Sequence, residues 1–218
     1  MRVGILGGTG PAGRALAARL ASVGVDVVVG SRSPDRAAAT CDEIHKRWSE
    51  RQLWLEPGDN PAAAAAEVVV VATPWDAAAE TAASVAAELA GKVVISMGNA
   101  LQKQGDELVA ITPPGGSVAA GVAQAVPEAL VAAAFHHIPA RTLGDVAKPI
   151  VGDVIVCADS QAAFHATADL VAGIPDLRPL HGGSLAGAGP VEAFTAVLLG
   201  VNRRYKARAV MRLTGIPE

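Results

Sequence analysis

The sequence predicts an α/β protein in which helices cover both faces of a doubly wound, mostly parallel sheet. Short apolar segments rich in valine alternate with alanine-rich segments of helical period along most of the chain. The first apolar segment, Arg2–Leu6, leads into a glycine-rich turn and then into a helical pattern at residues 14–20. Strand, glycine turn and helix in this order are typical of the Rossmann-type fold.

The glycine-rich turn has the spacing G-x-G-x-x-G, with its glycines at Gly8, Gly10 and Gly13. Glycine is required there for a tight turn, for approach of backbone to a pyrophosphate and for close packing of helix on strand. Amide groups at the start of the following helix carry partial positive charge and attract anions. The pattern therefore predicts a dinucleotide site, and a turn that binds nothing is the alternative. The predicted contacts are Gly8, Thr9, Gly10, Pro11, Ala12 and Gly13.

The second strand, at residues 25–29, indicates which dinucleotide binds. NAD sites usually end this strand with an acid that binds the adenosine ribose, whereas here it ends Gly30-Ser31-Arg32-Ser33. A guanidinium binds a 2′-phosphate through charge-assisted hydrogen bonds, and Arg36 follows Arg32 by one helical turn. A solvated Arg32 beside a Ser33-Pro34 helix cap is the alternative, and the two roles are compatible. We predict NADP(H) rather than NAD(H).

The remaining elements follow the same alternation of strands and helices. We expect helices at 34–48 and 76–90, a short alanine helix capped by Asn60-Pro61, and strands at 67–72, 92–96 and 129–135. Beyond residue 149 we expect a strand at 152–157, a helix at 160–172, an edge strand at 177–180 and a last helix at 190–213. The expected organisation is an NADP-binding Rossmann domain (1–148) and a smaller C-terminal α/β lobe (149–218).

Composition excludes several classes of protein. The 218 residues carry a formal net charge of −3, which argues against nucleic acid as the main partner. Cys41 and Cys157 are far apart and have no metal-ligand spacing, so they are expected to be reduced, buried thiols. The chain starts with a strand rather than a signal peptide, and no apolar run is expected to reach membrane-spanning length. We therefore expect a soluble cytoplasmic protein, and the apolar last helix makes a homodimer plausible.

Three segments are expected at the carboxyl ends of strands, where open α/β sheets bind ligands: residues 73–75, 96–101 and 135–140. Thr73 and Trp75 would lie along the cofactor, although Trp75 could equally cap the core. His136 and His137 are adjacent on a chain expected to be extended, so they would point to opposite sides and would not share a metal. One of them, His136, is a candidate hydrogen-bonding or proton-donating group, with a structural role as the alternative.

The sequence contains no recognisable nucleophile motif and no convincing acid for reducing a carbonyl. Hydride transfer between two flat redox rings requires no such acid at the reacting carbon. The end of the last expected helix carries five cations and no acid between residues 202 and 212. This run favours either an anionic second ligand or a solvated helix face.

The chain resembles the coenzyme F420-dependent NADP oxidoreductases of archaea and actinobacteria. The resemblance is carried by residues 2–13, 28–32, 73–75, 136–140, 173–180 and 190–192. It implies reversible hydride transfer between NADP(H) and a deazaflavin coenzyme, without metal or flavin. It further implies NADP contacts at Thr9, Gly10, Pro11, Ala12, Ser31, Arg32 and Arg36, a groove lined by Trp75, Ala79 and Leu101, and deazaflavin contacts near His136, Ile138, Pro139, Ala140 and Val210.

Two alternative functions remain open from the sequence. A reductase of imines or carbonyls, similar to the pyrroline-carboxylate reductases, would need a proton donor in the cleft. A protein that senses NADPH without turnover would bind the cofactor and transfer no hydride.

Overall fold

The computed structural model describes residues 1–216, so the last two residues of the expected C-terminal lobe lie outside the described residues. The strands are β1 (Arg2–Leu6), β2 (Asp26–Gly30), β3 (Leu55–Gly58), β4 (Val68–Val71), β5 (Val93–Ser96), β6 (Leu101–Gln104), β7 (Glu107–Ala110), β8 (Leu130–Ala133), β9 (Gly152–Ala158) and β10 (Leu177–His181). The helices are α1 (Pro11–Ser22), α2 (Pro34–Arg47), α3 (Asn60–Ala64), α4 (Ala78–Ala83), α5 (Ala86–Leu89), α6 (Val118–Ala125), α7 (Ala140–Leu143), α8 (Gln161–Ala172) and α9 (Ala188–Arg204).

Eight strands form one sheet in the order β10-β9-β8-β5-β4-β1-β2-β3. Six neighbouring strands of this sheet are parallel to one another, namely β8, β5, β4, β1, β2 and β3. Strand β9 is antiparallel to β8, and β10 is parallel to β9. The predicted Rossmann-type, mostly parallel sheet is confirmed. The expected domain boundary at 148/149 falls just before β9, which pairs with β8 in the same sheet, and the division into two domains stays a prediction.

The sheet separates two apolar cores, one on each face. Val70 lies in one core, while its chain neighbours Val69 and Val71 lie in the other, because successive side chains of a strand point to opposite faces. Helices α1, α2 and α8 contribute to the first core, and α3, α4 and α6 contribute to the second. Strand β4 is therefore buried on both faces, as its continuous valine run predicts.

Two predicted helical details are wrong. The segment 76–90, expected to be one helix, is a 3₁₀ turn followed by the separate helices α4 and α5. The helix is interrupted where the Ser84 hydroxyl donates to the carbonyl of Thr81 at 2.7 Å and the Val85 amide donates to the carbonyl of Ala82. Helix α3 is capped by Asp59 rather than by Asn60-Pro61, since the Asp59 carboxylate accepts from the Ala62 amide at 2.8 Å.

The last helix ends at Arg204, so the predicted extension to residue 213 is wrong. Lys206 has φ of 49°, in the left-handed region, and it turns the chain out of the helix. The Asn202 side chain then holds the main chain of Ala209. Further on, the Asp153 amide donates to the carbonyl of Met211 at 2.8 Å, so the tail (residues 205–216) returns along β9.

An antiparallel hairpin of β6 and β7, which the sequence analysis did not anticipate, lies against α9. Arg203 and Arg204 reach its turn and pair with Asp106 at 3.6 Å and Glu107 at 2.7 Å. Contrary to the expectation from sequence, one segment of the described residues, 185–204, is long and apolar enough to cross a membrane by length and composition. The same segment carries Glu192, whose buried carboxylate binds amides at the start of α6, so this face packs inside the protein.

Candidate active site

The glycine-rich turn between β1 and α1 is held by close backbone packing. Gly7 has φ of 78°, a conformation that glycine adopts without strain. The Gly8 amide donates to the carbonyl of Gly30 at 2.9 Å, which ties the turn to the end of β2. A Cβ atom on Gly13 would lie 2.5 Å from the Gly7 carbonyl oxygen, so only glycine allows α1 to approach the turn this closely.

The start of α1 fits an anion. Ser33, Ser117 and Ser160 cap α2, α6 and α8 with their side chains, whereas α1 begins at Gly10 with no side-chain cap and has no acid in its first turn. The first amide groups of a helix have no partner within the helix. Pro11 has no N–H, and the Gly10 amide donates to the carbonyl of Gly7 at 3.0 Å, so the amides from Ala12 onwards, together with the positive end of the helix dipole, suit a pyrophosphate beside Thr9, Gly10 and Pro11.

The end of β2 presents two arginines next to this turn. The buried Ser31 hydroxyl accepts from the Ser33 amide at 3.2 Å, and the Ser33 hydroxyl accepts from the Arg36 amide at 3.4 Å, so the predicted serine cap of α2 is confirmed. Arg32 and Arg36 are exposed, and neither forms an ion pair with a carboxylate within residues 1–216. Both guanidinium groups are therefore available to a phosphate at the tip of the strand.

A cavity of about 190 Å³, called the ring cavity below, opens beyond the carboxyl ends of β5 and β8 and reaches the start of α1. Six of the residues predicted from the sequence line it: Ala12, Leu101, His136, Ile138, Pro139 and Ala140. Met97, Asn99, Phe135 and His137 also line it, as do Thr195, Leu198, Leu199 and Asn202 of α9. The α9 residues were missed, although their spacing along one face of a helix was a readable signal.

Several buried polar atoms around this end of the sheet have no hydrogen-bond partner among residues 1–216. They are Thr73 Oγ1, Ser96 Oγ, Asn99 Oδ1 and both ring nitrogens of His136. A buried polar group without a partner costs free energy, so such groups normally have an explanation. A polar ligand that enters the ring cavity would supply partners to Asn99 and His136, which line it.

His136 is uncharged in this environment. Burial and, to a smaller extent, the neighbouring His137 ring lower its pKa to about 3, and the carbonyl of Ala134 opposes the shift without reaching hydrogen-bond geometry. A neutral imidazole has one N–H donor and one acceptor nitrogen. His136 can therefore hydrogen-bond to a ligand in the ring cavity, but it is not a cation at neutral pH.

His137 serves the structure around the cavity. Its Nε2 donates to the carbonyl of Asp153 at 2.9 Å, and burial lowers its pKa. The expectation that the two histidines point to opposite sides is wrong, since their ring centroids lie 5.1 Å apart in an edge arrangement. The reason is Phe135, whose φ of 63° turns the chain where an extended strand was expected.

Asp153 joins the histidine segment (residues 135–140) to the tail and to β10. Burial alone would raise the pKa of its carboxyl group. An ion pair with Arg178 at 2.9 Å and a hydrogen bond from the Leu213 amide at 2.6 Å outweigh burial, so the pKa is lowered. Its main-chain carbonyl meanwhile accepts from His137. Asp153 is therefore ionised and fixes one wall of the ring cavity through His137.

Apart from the residues predicted to bind the pyrophosphate and the 2′-phosphate, four predicted contact residues lie outside the lining of the ring cavity. Thr73, Trp75 and Ala79 follow β4 at the same edge of the sheet, where Trp75 is half-buried against the core. Val210 lies on the tail and packs on Gly152, where a Cβ atom would come within 2.5 Å of it. The contacts that the sequence analysis assigned to these four residues stay predictions.

A family model and two full-length relatives agree on one family. Residues 2–100 match the family model described as "NADP oxidoreductase coenzyme F420-dependent". The chain is 33% identical to an F420-dependent NADP reductase of Methanothermobacter thermautotrophicus over 100% of this chain and 97% of the relative. It is 32% identical to the reductase of the same description from Methanocaldococcus jannaschii over 99% of both chains.

A solved structure gives the same fold. A crystal structure from Arthrobacter sp. FB24, assigned to the F420-dependent NADP reductases, is similar with a TM-score of 0.83 and 23% identity. The similarity covers 98% of this chain and 99% of that one. At this level of identity the likeness establishes the Rossmann-like fold.

Proposed function

The chain belongs to the family of coenzyme F420-dependent NADP oxidoreductases, and from this premise we propose that it transfers hydride reversibly between NADP(H) and coenzyme F420. Bound at the residues of this site, the coenzymes would supply the hydride donor, C4 of the reduced nicotinamide, and the hydride acceptor, C5 of the deazaflavin, whose N1 would take its proton from solvent. The observation that supports this proposal most is the position of the ring cavity. It adjoins the anion-binding start of α1 and contains unpartnered polar atoms.

We assign the two ends of NADP(H) to two parts of the site. The pyrophosphate binds at the glycine turn and the start of α1, and the 2′-phosphate binds to Arg32 and Arg36 beside the buried Ser31. From there the nucleotide extends along Thr73, Trp75 and Ala79 towards Leu101 at the ring cavity.

In the ring cavity, the chain holds the two rings in place and excludes water. Among the described residues that line it, none is Lys, Tyr, Asp or Glu, so the wall offers no strong acid for a substrate alkoxide. His136, kept neutral by burial, contacts the deazaflavin and donates a hydrogen bond to charge that develops there. Ile138, Pro139 and Ala140 supply an apolar surface against the ring.

The same lining bears on the two alternatives. A reductase of imines or carbonyls would protonate nitrogen or oxygen from a nearby acid, and a neutral histidine whose pKa is about 3 is a poor source of that proton. A sensor of NADPH would bind the nucleotide without needing a second ring site. The ring cavity therefore favours hydride transfer between two coenzymes.

The test mixes the purified protein with NADPH and F420 without oxygen and follows the deazaflavin absorbance. We expect bleaching in equal proportion to NADPH oxidation, and recovery of absorbance when NADP⁺ and reduced F420 are mixed. Binding of NADPH with no transfer to F420 would favour the sensor, whereas turnover of a cyclic imine alone would favour the imine reductase.

We further propose a cytoplasmic homodimer that buries the exposed face of α9. Phe194, Val197 and Val201 lie on this face at helical spacing, and Leu108 of the hairpin is exposed beside them. An apolar surface of this kind is typical of an interaction site. Sedimentation should give twice the monomer mass for the wild type, and Val197→Glu should give the monomer. A wild type that sediments as a monomer would contradict the assignment.

A further inference from the structure

A second cleft, of about 540 Å³, lies over the outer surface of α1 and is lined by residues of α1, α2, α7 and the tail. We call it the arginine cleft, because Arg14, Arg47, Arg141 and Arg208 line it together with one acid, Glu43. These charged residues come from four separate segments of the chain, and the fold brings them to one place.

The arginine cleft adjoins the ring cavity. Ala140 lines both of them, and Pro11 of the cleft directly precedes Ala12 of the cavity. A ligand whose ring occupies the cavity can therefore continue past the start of α1 into the cleft without crossing the sheet.

The charge of the cleft is strongly unbalanced. Arg14 pairs with Glu43 at 3.2 Å, which neutralises one arginine. Within residues 1–216, Arg47, Arg141 and Arg208 form no ion pair with a carboxylate. Three positive charges therefore remain for an anion that carries several negative charges.

The cleft is distinct from the predicted site of the 2′-phosphate. Arg36 lies in the first turn of α2 and Arg47 is its last residue, so the two are separated by eleven residues, or about 16 Å along the helix axis. NADP(H) bound at Arg32 and Arg36 leaves the arginine cleft free for the other coenzyme.

The cleft also assigns one of the five cations near the C-terminus. Arg203 and Arg204 face the hairpin and form ion pairs with its acids, so they do not contribute to the arginine cleft. Arg212 lies near the carboxylate of Asp153, whose pKa it helps to lower. Arg208, carried by the tail that returns along β9, lines the arginine cleft.

The segment beside Arg141 is well anchored. The guanidinium of the buried Arg19 on α1 donates to the carbonyls of Thr142, Leu143, Asp145 and Lys148 at 2.7 to 3.2 Å. These hydrogen bonds fix α7 against α1, so the backbone beside Arg141 is in place before any ligand arrives. A wall ordered in advance loses less entropy on binding.

We propose that the arginine cleft binds the anionic tail of coenzyme F420, with Arg47, Arg141 and Arg208 contacting its phosphodiester and glutamate carboxylates. This inference rests on the proposed function, because it places the tail of the same coenzyme whose ring occupies the ring cavity. The phosphate and carboxylates are the groups in the tail that arginine recognises best.

The test compares F420 with the deazaflavin riboside that lacks the phosphate and the glutamates. The variants are Arg141→Ala, Arg208→Ala and the double variant, and Arg51→Ala is the matched control. Arg51 is exposed just beyond α2 but does not line the cleft. All are assayed with saturating NADPH at low and high ionic strength, and activity with the riboside verifies that each variant is folded.

We expect each single variant to lower kcat/KM for F420 by about threefold to tenfold, chiefly through KM, and the double variant by about 30-fold. The riboside should lose less than about twofold, and Arg51→Ala should leave both coenzymes unchanged. Added salt should weaken F420 binding more in the wild type than in the double variant, because the double variant lacks two of the charges that salt screens.

The assignment of the tail would be overturned if the cleft variants lost kcat/KM equally for F420 and the riboside. It would also be overturned if Arg51→Ala lost as much kcat/KM as the cleft variants. Either result would leave hydride transfer intact. If the wild-type protein reduces neither deazaflavin, the proposed function itself fails and the tail assignment falls with it.

Discussion

The side-chain amide of Asn99 donates to the main-chain carbonyl of His136 at 2.8 Å, which joins the segment after β5 to the segment after β8. The hydroxyl of Thr195 donates to the same carbonyl at 3.2 Å, so α9 meets both segments at this oxygen. The other amide atom of Asn99, Oδ1, is buried without a partner at the ring cavity. One side chain therefore positions the main chain at His136 and leaves a buried acceptor at the ring cavity.

Replacing Asn99 tests this double role. Asn99→Leu keeps the number and branching of the side-chain heavy atoms but removes the donor to His136 and the acceptor in the cavity. We expect kcat to fall about tenfold and the free energy of unfolding to fall by about 1–2 kcal/mol. Stopped-flow reduction of F420 and urea unfolding measure the two effects. Thr195→Val, which removes only the second donor, should have a smaller effect on kcat, and an unchanged kcat in Asn99→Leu would refute the role.

The choice between NADP(H) and NAD(H) depends on Arg32. Arg32→Ala removes a charge-assisted contact to the 2′-phosphate, which NADH lacks, so we expect kcat/KM for NADPH to fall about 30-fold and for NADH to change less than about threefold. Steady-state kinetics with both nucleotides measure the ratio. Arg51→Ala serves as the control for general loss of charge. Similar losses for the two nucleotides would place the 2′-phosphate elsewhere.

The titration of His136 predicts how stability depends on pH. The pKa of His136 falls from 6.5 to about 3 on folding, so between these values the unfolded chain binds a proton that the folded chain does not. Its contribution to stability is full above pH 6.5 and is lost as the pH falls towards 3, at about 1.4 kcal/mol per pH unit. Urea unfolding measures this effect. Between pH 6.5 and pH 5.0, the free energy of unfolding should fall by about 2 kcal/mol more in the wild type than in His136→Gln.

Nuclear magnetic resonance gives an independent check on His136. In protein labelled on histidine, the His136 ring signals should not titrate between pH 8 and pH 5. A midpoint near pH 6.5 for His136 would contradict its neutral, hydrogen-bonding role.

The buried Arg19 is expected to dominate the stability of the α7 region. Arg19→Met keeps the apolar stem but leaves four main-chain carbonyls without their donor, so we expect a loss of about 3–5 kcal/mol in the free energy of unfolding. The exposed Arg14→Met on the same helix should cost less than about 1 kcal/mol. Urea unfolding measures both, and comparable losses in the two variants would argue against the role of Arg19.

Much of the fold was predictable because local patterns determined it. The Val68–Val71 run, the Gly8–Gly10–Gly13 spacing and the Ser33-Pro34 cap each depend on neighbours in the sequence, and each appears as predicted. The end of α9 was not predictable in this way. Lys206, with its positive φ, turns the chain out of the helix, and the tail beyond it follows β9 because Asp153, 60 residues before Leu213, binds the Leu213 amide.

The ring cavity was predictable only in part. The segments after β5 and β8 follow from strand order, since carboxyl ends of parallel strands meet at one edge of the sheet. The relation between His136 and His137 was missed, because a positive φ at a phenylalanine such as the fully buried Phe135 has no signal in the sequence. The hairpin of β6 and β7 was missed as well, since its strands are short and mostly exposed.

The central claim is that two redox rings face each other and exchange hydride with no intervening acid–base group. The most direct measurement uses NADPH carrying deuterium at the transferred position of C4, with analysis of the reduced F420 by mass spectrometry and nuclear magnetic resonance. We expect the deuterium to appear at C5 of the deazaflavin without dilution by solvent hydrogen. Deuterium released into water, or reduced F420 whose C5 hydrogen comes from the solvent, would contradict direct transfer between the rings.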